Sequence, residues 1–283
     1  MALNNRYEFL MLFDVENGNP NGDPDMNNAP RIDFDTSYGY VTDVCLKRKI
    51  RNYVELVKAG ETGYNILIKP DRPINAVLSE AKEKIKIPKK ITDAELDTLV
   101  QNYVCENYFD ARTFGAVITK KSKGSIAIRG PVQLNFARSI SPIDVQTITI
   151  TRQAKANEER QNKEGDSEFG KKRFIPYGLY RAEGYVSASL ANKVTDLDEN
   201  DLELLWSAII NMFEDDHSAA RGKMCMRKLY VFKHENVLGC CPSHLLFDKI
   251  TIDPLTAVPR SFKDYKITVD REMPTGVELL EKL

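Results

Sequence analysis

The sequence has 283 residues, 42% of them hydrophobic, with 40 Lys and Arg against 41 Asp and Glu for a net charge of −1. That length fits one elaborated domain better than two, and the composition excludes a bilayer-spanning helix, which needs roughly 18–20 apolar residues in a row, and a disulfide framework, since the five cysteines are odd in number and scattered. The start, Met1 to Tyr7, lacks the apolar centre of a signal peptide, so the expectation is a soluble, cytoplasmic protein without a membrane partner.

Along the chain, Tyr7 to Val15 is aromatic-rich and apolar at both parities, the pattern of a central strand covered on both faces. Asn17 to Asp25 packs Asn-Gly, Asn-Pro and Asp-Pro steps together, turn chemistry through which no helix or strand is expected to pass. The segment is acidic: between Asp14 and Asp43 there are seven acids and one base, Arg31. An EF-hand register begun at Asn19 puts Pro24 where glycine is needed and Pro30 where the bidentate Glu belongs, so these acids read as turn caps and not as metal ligands. Thr42 is a good N-cap, and Val44, Leu46, Ile50, Tyr53, Val54 and Val57 recur at helical spacing, which predicts a helix over 43–58. Here the charge reverses, with Lys47, Arg48, Lys49, Arg51 and Lys58 against Glu55 alone. The apolar stripe places Lys47 and Arg51 four residues apart on one exposed face, with Arg48 beside them, a spacing that suits neighbouring phosphates.

Residues 59–111 read as an inserted lobe with a helix at Thr92 to Tyr103. Arg112 to Ile143 holds six bases and no acid, and Ser125 to Ile140 alternates around a Gly-Pro step like a bent strand. Strands are expected at Thr147 to Arg152 and Leu179 to Leu190, with the hydrophilic stretch 154–172 projecting between them as a loop or hairpin. From Ala182 to Ala220 there are nine carboxylates and one base, Lys193; within that tract Leu202, Leu205, Trp206, Ile209 and Phe213 mark a core helix. Cys225 to Phe232 reads as a strand, entered through Arg221-Gly222-Lys223-Met224, where glycine between two cations lets a backbone approach a ligand closely. Without the two insertions the order is β-α-β-β-α-β, an α+β, ferredoxin-like (RRM-like) frame shared by many RNA-recognition domains.

Enzyme signatures are missing. His217, Cys225, His234, Cys240, Cys241 and His244 are zinc-ligand types without a C-x2-C pair, and no P-loop, G-x-G-x-x-G, G-x-S-x-G or H-E-x-x-H occurs. Basic blocks on such a frame, with no helix-turn-helix, zinc finger or basic zipper, favour RNA over a DNA duplex, recognised by backbone shape and not by base sequence.

The runs Asp14-Val-Glu-Asn-Gly-Asn-Pro-Asn-Gly-Asp-Pro-Asp25, Pro30-Arg-Ile-Asp33 and Gly39-Tyr-Val-Thr-Asp-Val-Cys-Leu-Lys-Arg-Lys-Ile-Arg-Asn-Tyr53 closely resemble the backbone subunit of CRISPR Cascade complexes, particularly subtype I-C. Phe109-Asp-Ala-Arg-Thr-Phe-Gly-Ala-Val117 and Gly130-Pro-Val-Gln-Leu134 are similar to the family's other blocks. The resemblance implies a ferredoxin-like palm over 1–58, 125–143 and 179–283, a helical fingers insertion over 59–124 and a thumb β-hairpin over 144–178. It implies a non-catalytic scaffold without cofactor or metal. Copies stack head to tail along a crRNA, beside other Cascade subunits, and present the guide to target DNA in antiviral defence. By position, Lys47 and Arg51 correspond to helix-one phosphate contacts, Thr42 to the polar helix start, and Arg221, Gly222, Lys223 and Met224 to the glycine loop against the RNA. Chemistry adds Asn17, Asn19, Asn21, Arg31, Arg48, Arg112 and Arg138, and in the thumb Arg152, Lys171, Lys172, Arg173 and Phe174. The competing reading is a metal-dependent ribonuclease on the same fold, with Asp33, Asp35 or Asp43 as its loop carboxylate.

Overall fold

The computed structural model describes residues 2–120, 124–152 and 168–283. β1 (Tyr7–Gly18) is buried on both faces through Val15, as its unbroken apolar pattern requires. Its two buried acids are matched: Glu8 by His234, and Asp14 by the Tyr177 hydroxyl at 2.9 Å and Arg227 at 2.9 Å. The turn-rich segment that follows is not wholly irregular. β2 (Gly22–Asp23) and β3 (Ala29–Pro30) form a minimal antiparallel pair around a 3-10 turn capped by the Asp23 carboxylate. β4 (Tyr38–Val41) then leads into α1 (Asp43–Val57), where the Thr42 hydroxyl accepts from the Cys45 amide at 3.3 Å.

The next segment gathers around an apolar cluster of its own that includes Leu67, Val77, Val100, Val104, Ile118 and Ile126. It comprises α2 (Ala76–Lys84), α3 (Asp93–Asn107), α4 (Phe109–Phe114), β5 (Gly115–Thr119) and β6 (Ser125–Arg129). A Thr92/Glu95 capping box starts α3, which runs past the expected end at Tyr103. Within this lobe the Glu80 carboxylate accepts from the Tyr103 hydroxyl at 2.7 Å and the Tyr108 hydroxyl at 2.9 Å and pairs with Arg72. Burial pushes its pKa up, but the hydrogen bonds from Tyr103, Arg72 and Tyr108 outweigh that and hold it below the usual glutamate value. A lowered folded pKa contributes stability above the unfolded pKa, and that contribution is lost as pH falls through the folded one. Thermal melts should therefore show wild type above Glu80→Gln at neutral pH by less than about 1 kcal/mol, since the pair is half-exposed. The gap should close as pH drops below the ordinary value of 4.5. A gap constant from neutral pH to acid would disprove the assignment.

The single bent strand expected at 125–140 is three strands. The chain turns at Gly130–Pro131 and again at Asn135–Phe136, so β6 pairs with β5 while β7 (Val132–Leu134) and β8 (Ala137–Pro142) join the main sheet. β9 (Gln146–Arg152) pairs with residues 168–174 of β10 (Glu168–Val186), and the rest of β10 pairs with β1. The stretch expected to project, 154–172, is thus a hairpin arm from Glu168 onward; residues 153–167 lie outside the described residues. A capping box of Asp198 and Asp201 starts α5 (Glu199–Asn211). β11 (Lys223–His234), α6 (Ser243–Phe247), β12 (Ile250–Pro254), β13 (Tyr265–Val269) and β14 (Val277–Glu281) complete the chain, and all but β11 carry no element in the sequence reading.

The main sheet runs β14-β11-β1-β10-β8-β4, with β7 and β9 also pairing with β10. On one face Trp206 of α5 meets Phe9 edge-on at 5.1 Å, and Phe13 stacks on Tyr180 at 5.4 Å. On the other, Leu10, Leu12, Tyr230 and Phe232 are covered by α6 and the β12–β13 hairpin. No helix among the described residues is long and apolar enough to cross a membrane.

Candidate nucleic-acid interface

Three loops converge beside the C-terminal end of β1. The Asn19 amide donates to Ala220 O at 2.9 Å. Gly222 has φ +65°, and a Cβ there would lie 2.5 Å from the carbonyl oxygens of Glu16 and Asn17. The glycine is therefore required for closure of the β11 entry onto β1, not for approach to a ligand. Asn21 Oδ1 accepts from the Thr42 amide and hydroxyl, both at 3.0 Å, which fastens the start of α1 to the Asn-rich loop. Asp216 holds Arg221 at 3.0 Å and also receives Lys49.

These contacts enclose a cleft of about 590 Å³ whose lining includes four cations, Arg31, Arg48, Lys49 and Arg221, against two carboxylates, Asp43 and Asp216. Asn21, Thr42 and Phe136 also line it. Arg48 is exposed and, among the described residues, bonded only along its own helix, Nε to Asn52 Oδ1 at 2.9 Å. Arg31 sits 3.5 Å from Asp23, and among the described residues its buried Nε and the buried Asn19 Oδ1 have no hydrogen-bond partner.

Several candidates are taken up by the fold instead. Arg51 is 7% exposed, its Nε donating to Asp110 Oδ2 at 2.8 Å, so the exposed face expected for Lys47 and Arg51 does not exist. Lys47 pairs with Asp43 at 3.0 Å and lies over the Phe114 ring, turned toward the lobe. Arg112 is buried in a two-pronged pair with Asp201 at 2.7 Å for each prong, and donates to Cys105 O at 2.7 Å. Met224 is buried in the main core opposite Val15. Asn19 donates to Asn28 O at 2.7 Å and serves mainly to shape its loop; Asn17, at φ 51°, turns the chain out of β1.

The remaining candidates do not line this cleft. Lys223 is exposed, 3.8 Å from Glu16. Arg138 is exposed over the Tyr38 ring at 4.6 Å, in a second cleft of about 600 Å³ that Phe136 also lines. On the hairpin, register places Lys171 and Arg173 on one face with Thr147, Thr149 and Thr151, and Lys172 on the other with Ile148 and Ile150; Phe174 pairs with Gln146 on that second face. Arg173 donates to Met26 O at 2.6 Å, bringing the hairpin root against the β2–β3 turn. Arg152 is described in its backbone alone, opposite Glu168. The sequence reading missed Phe136 and Lys49. Nothing in the alternation of 125–140 marks Phe136 as exposed, and Lys49 lay in a basic cluster but off the chosen face.

Two of the three loop acids, Asp33 and Asp43, are committed locally, while Asp35 is exposed. Asp33 accepts from the Thr36 hydroxyl at 2.6 Å and the Asp35 amide at 3.1 Å, bonds that hold its pKa below the usual aspartate value, and Asp43 is bound to Lys47. Among the described residues no group of three His, Cys, Asp or Glu side chains is arranged to hold a metal ion.

A family model described as "CRISPR-associated protein Cas7" matches residues 5–270. The CRISPR-associated protein Cas7 of Haloferax volcanii is 26% identical over 237 residues, which are 75% of this chain, and the chain spans 66% of that relative's length. Among solved structures, a chain of a CRISPR RNA-guided surveillance complex, pre-nicking, has a TM-score of 0.49 at 12% identity over 80% of this chain and 78% of that one. A chain of the type III-B Cmr-beta complex bound to cognate target RNA has a TM-score of 0.46 at 12% identity, covering 80% and 61% respectively.

Proposed function

Because the chain belongs to the CRISPR-associated Cas7 family, we propose that it is a non-catalytic backbone subunit of a type I-C Cascade surveillance complex, stacking head to tail on crRNA and presenting the guide to target DNA. The palm is the main sheet with α1 and α5, in which β11, β1, β10 and β8 lie in the 4-1-3-2 order of a ferredoxin-like unit. The fingers are the lobe with the separate apolar cluster, and the thumb is the β9–β10 hairpin. The observation that carries the RNA reading is the cleft where Arg31, Arg48 and Arg221 converge on the Asn-rich loop and the start of α1. Cations on backbone-fixed loops position phosphates without reading bases, which leaves sequence recognition to pairing of the guide. The ribonuclease reading gains nothing from the geometry, since Asp33 and Asp43 are engaged in turn and helix contacts.

The test is the salt dependence of binding. Arg48→Ala with Arg221→Ala should weaken binding equally for unrelated single-stranded RNAs and lower the log–log salt slope by about 1.4, from roughly 0.7 per single-strand phosphate contact. An unchanged slope and affinity would remove the cleft from the RNA path.

A further inference from the structure

An exposed aromatic ring alone requires no explanation, but Phe136 is set in a particular way. It is 56% exposed in the two-residue break between β7 and β8, and its ring lies parallel to Tyr40, 6° apart in plane with centroids 6.2 Å apart. It also lines both of the clefts described above, with Arg48 and Arg221 in one and Arg138 in the other. Arg138 is cross-strand from Tyr40 and stacked over Tyr38, so this edge of the sheet alternates aromatic faces with guanidinium groups.

We propose that Phe136, backed by Tyr40, is a stacking platform for one nucleobase of a single strand whose phosphates lie in the two clefts on either side. This rests on the RNA reading above and adds a base-contacting but sequence-tolerant site to it. Tyr40 lies parallel to the ring and offset to one side of it, which leaves ring face for a base, and every base has a π-face to offer. The cations on each side supply backbone contacts for the flanking phosphates, so the platform marks where the strand passes from one cleft to the other. An aliphatic side chain covers similar area but offers no flat face, whereas an indole offers a larger one.

The experiment measures binding of the full-length chain to a single-stranded RNA and to an abasic ribose-phosphate oligomer of equal length. Wild type should favour the base-bearing strand, and Phe136→Ala should bind it about five- to tenfold more weakly, the lower end of the range for one base stack. Its affinity for the abasic strand and its salt slope should not change. Phe136→Trp should restore the preference and Phe136→Leu should not. Equal preference in wild type and Phe136→Ala overturns the platform and leaves the phosphate cleft standing. Failure of wild type to bind either strand overturns the RNA reading itself. Because the ring is more than half exposed, the melting temperature should stay near wild type in all three variants, and a fall of many degrees would assign Phe136 to packing instead.

Discussion

Arg112→Ala should lower the unfolding free energy by about 3–5 kcal/mol, the cost of removing one partner from a buried pair and leaving the other charge unmatched. The guanidinium makes both of its carboxylate bonds to Asp201 at 2.7 Å and spends a third nitrogen on Gly63 O at 3.1 Å and Cys105 O at 2.7 Å, so truncation strands an acid and two carbonyls together. The rings of Tyr64 and Phe109 lie against it as well. Urea unfolding should show a lower midpoint at constant m, the signature of lost stability without a change in the surface exposed. Asp201→Ala should cost a similar amount, and the double variant less than the sum, because the two share one interaction. A variant with a wild-type midpoint and a large loss of RNA affinity would instead make Arg112 a surface contact.

The second large effect is at Asp110. This carboxylate is fully buried and accepts from Arg51 Nε at 2.8 Å, the Leu67 amide at 2.8 Å and the Ile68 amide at 3.1 Å. Asp110→Ala therefore orphans a buried cation, the buried Leu67 amide and the part-buried Ile68 amide, again about 3–5 kcal/mol. Hydrogen exchange gives the local readout: the Leu67 and Ile68 amides should lose protection beyond what the global destabilisation explains. Ordinary protection there, with a stability change under about 1 kcal/mol, would mean that the pair is not a structural hub.

The two hubs sit two residues apart on α4, a six-residue helix buried at every position. Asp110 reaches α1 and Arg112 reaches α5, so one short helix ties the lobe to both helices of the main sheet. Phe109 and Phe114 of the same helix are buried in the main-sheet core while Ala111 packs into the lobe's own cluster, so apolar contacts and the two buried pairs together fix the orientation between them.

This arrangement also explains which parts of the sequence were readable. β1, α1 and α5 carry their own signals, continuous apolar burial in the strand and capped periodicity in the helices, and each lies where those signals put it. The inward face of α1 did not follow from spacing alone. Val44 and Val57 are exposed, while Lys49 and Arg51 are buried, because Asp216 and Asp110 wait for them 167 and 59 residues away. Arg112 read as part of a basic surface for the same reason: its partner Asp201 is 89 residues distant. Local charge counting sees an acid-free block where the fold sees a closed pair. The break at 135–136, α2 and the elements after β11 are short and owe their burial to distant partners, so no local pattern announced them. The turns of the Asn-rich loop and the exposure of Arg48 agree with the sequence, because turn residues and a solvent-facing base keep their character whatever packs nearby.

β10 is a single strand of 19 residues, about 60 Å at the usual rise per residue, and it serves two partners in succession. Residues 168–174 belong to the hairpin and residues 175–186 to the pairing with β1, with no loop between them. Side chains alternate along a strand, so inserting or deleting one residue near this junction would leave the sheet in register and turn the hairpin over. Ile148 and Ile150 would then face the side that Lys171 and Arg173 now occupy. The outward arm and the core strand thus share one reading frame in space.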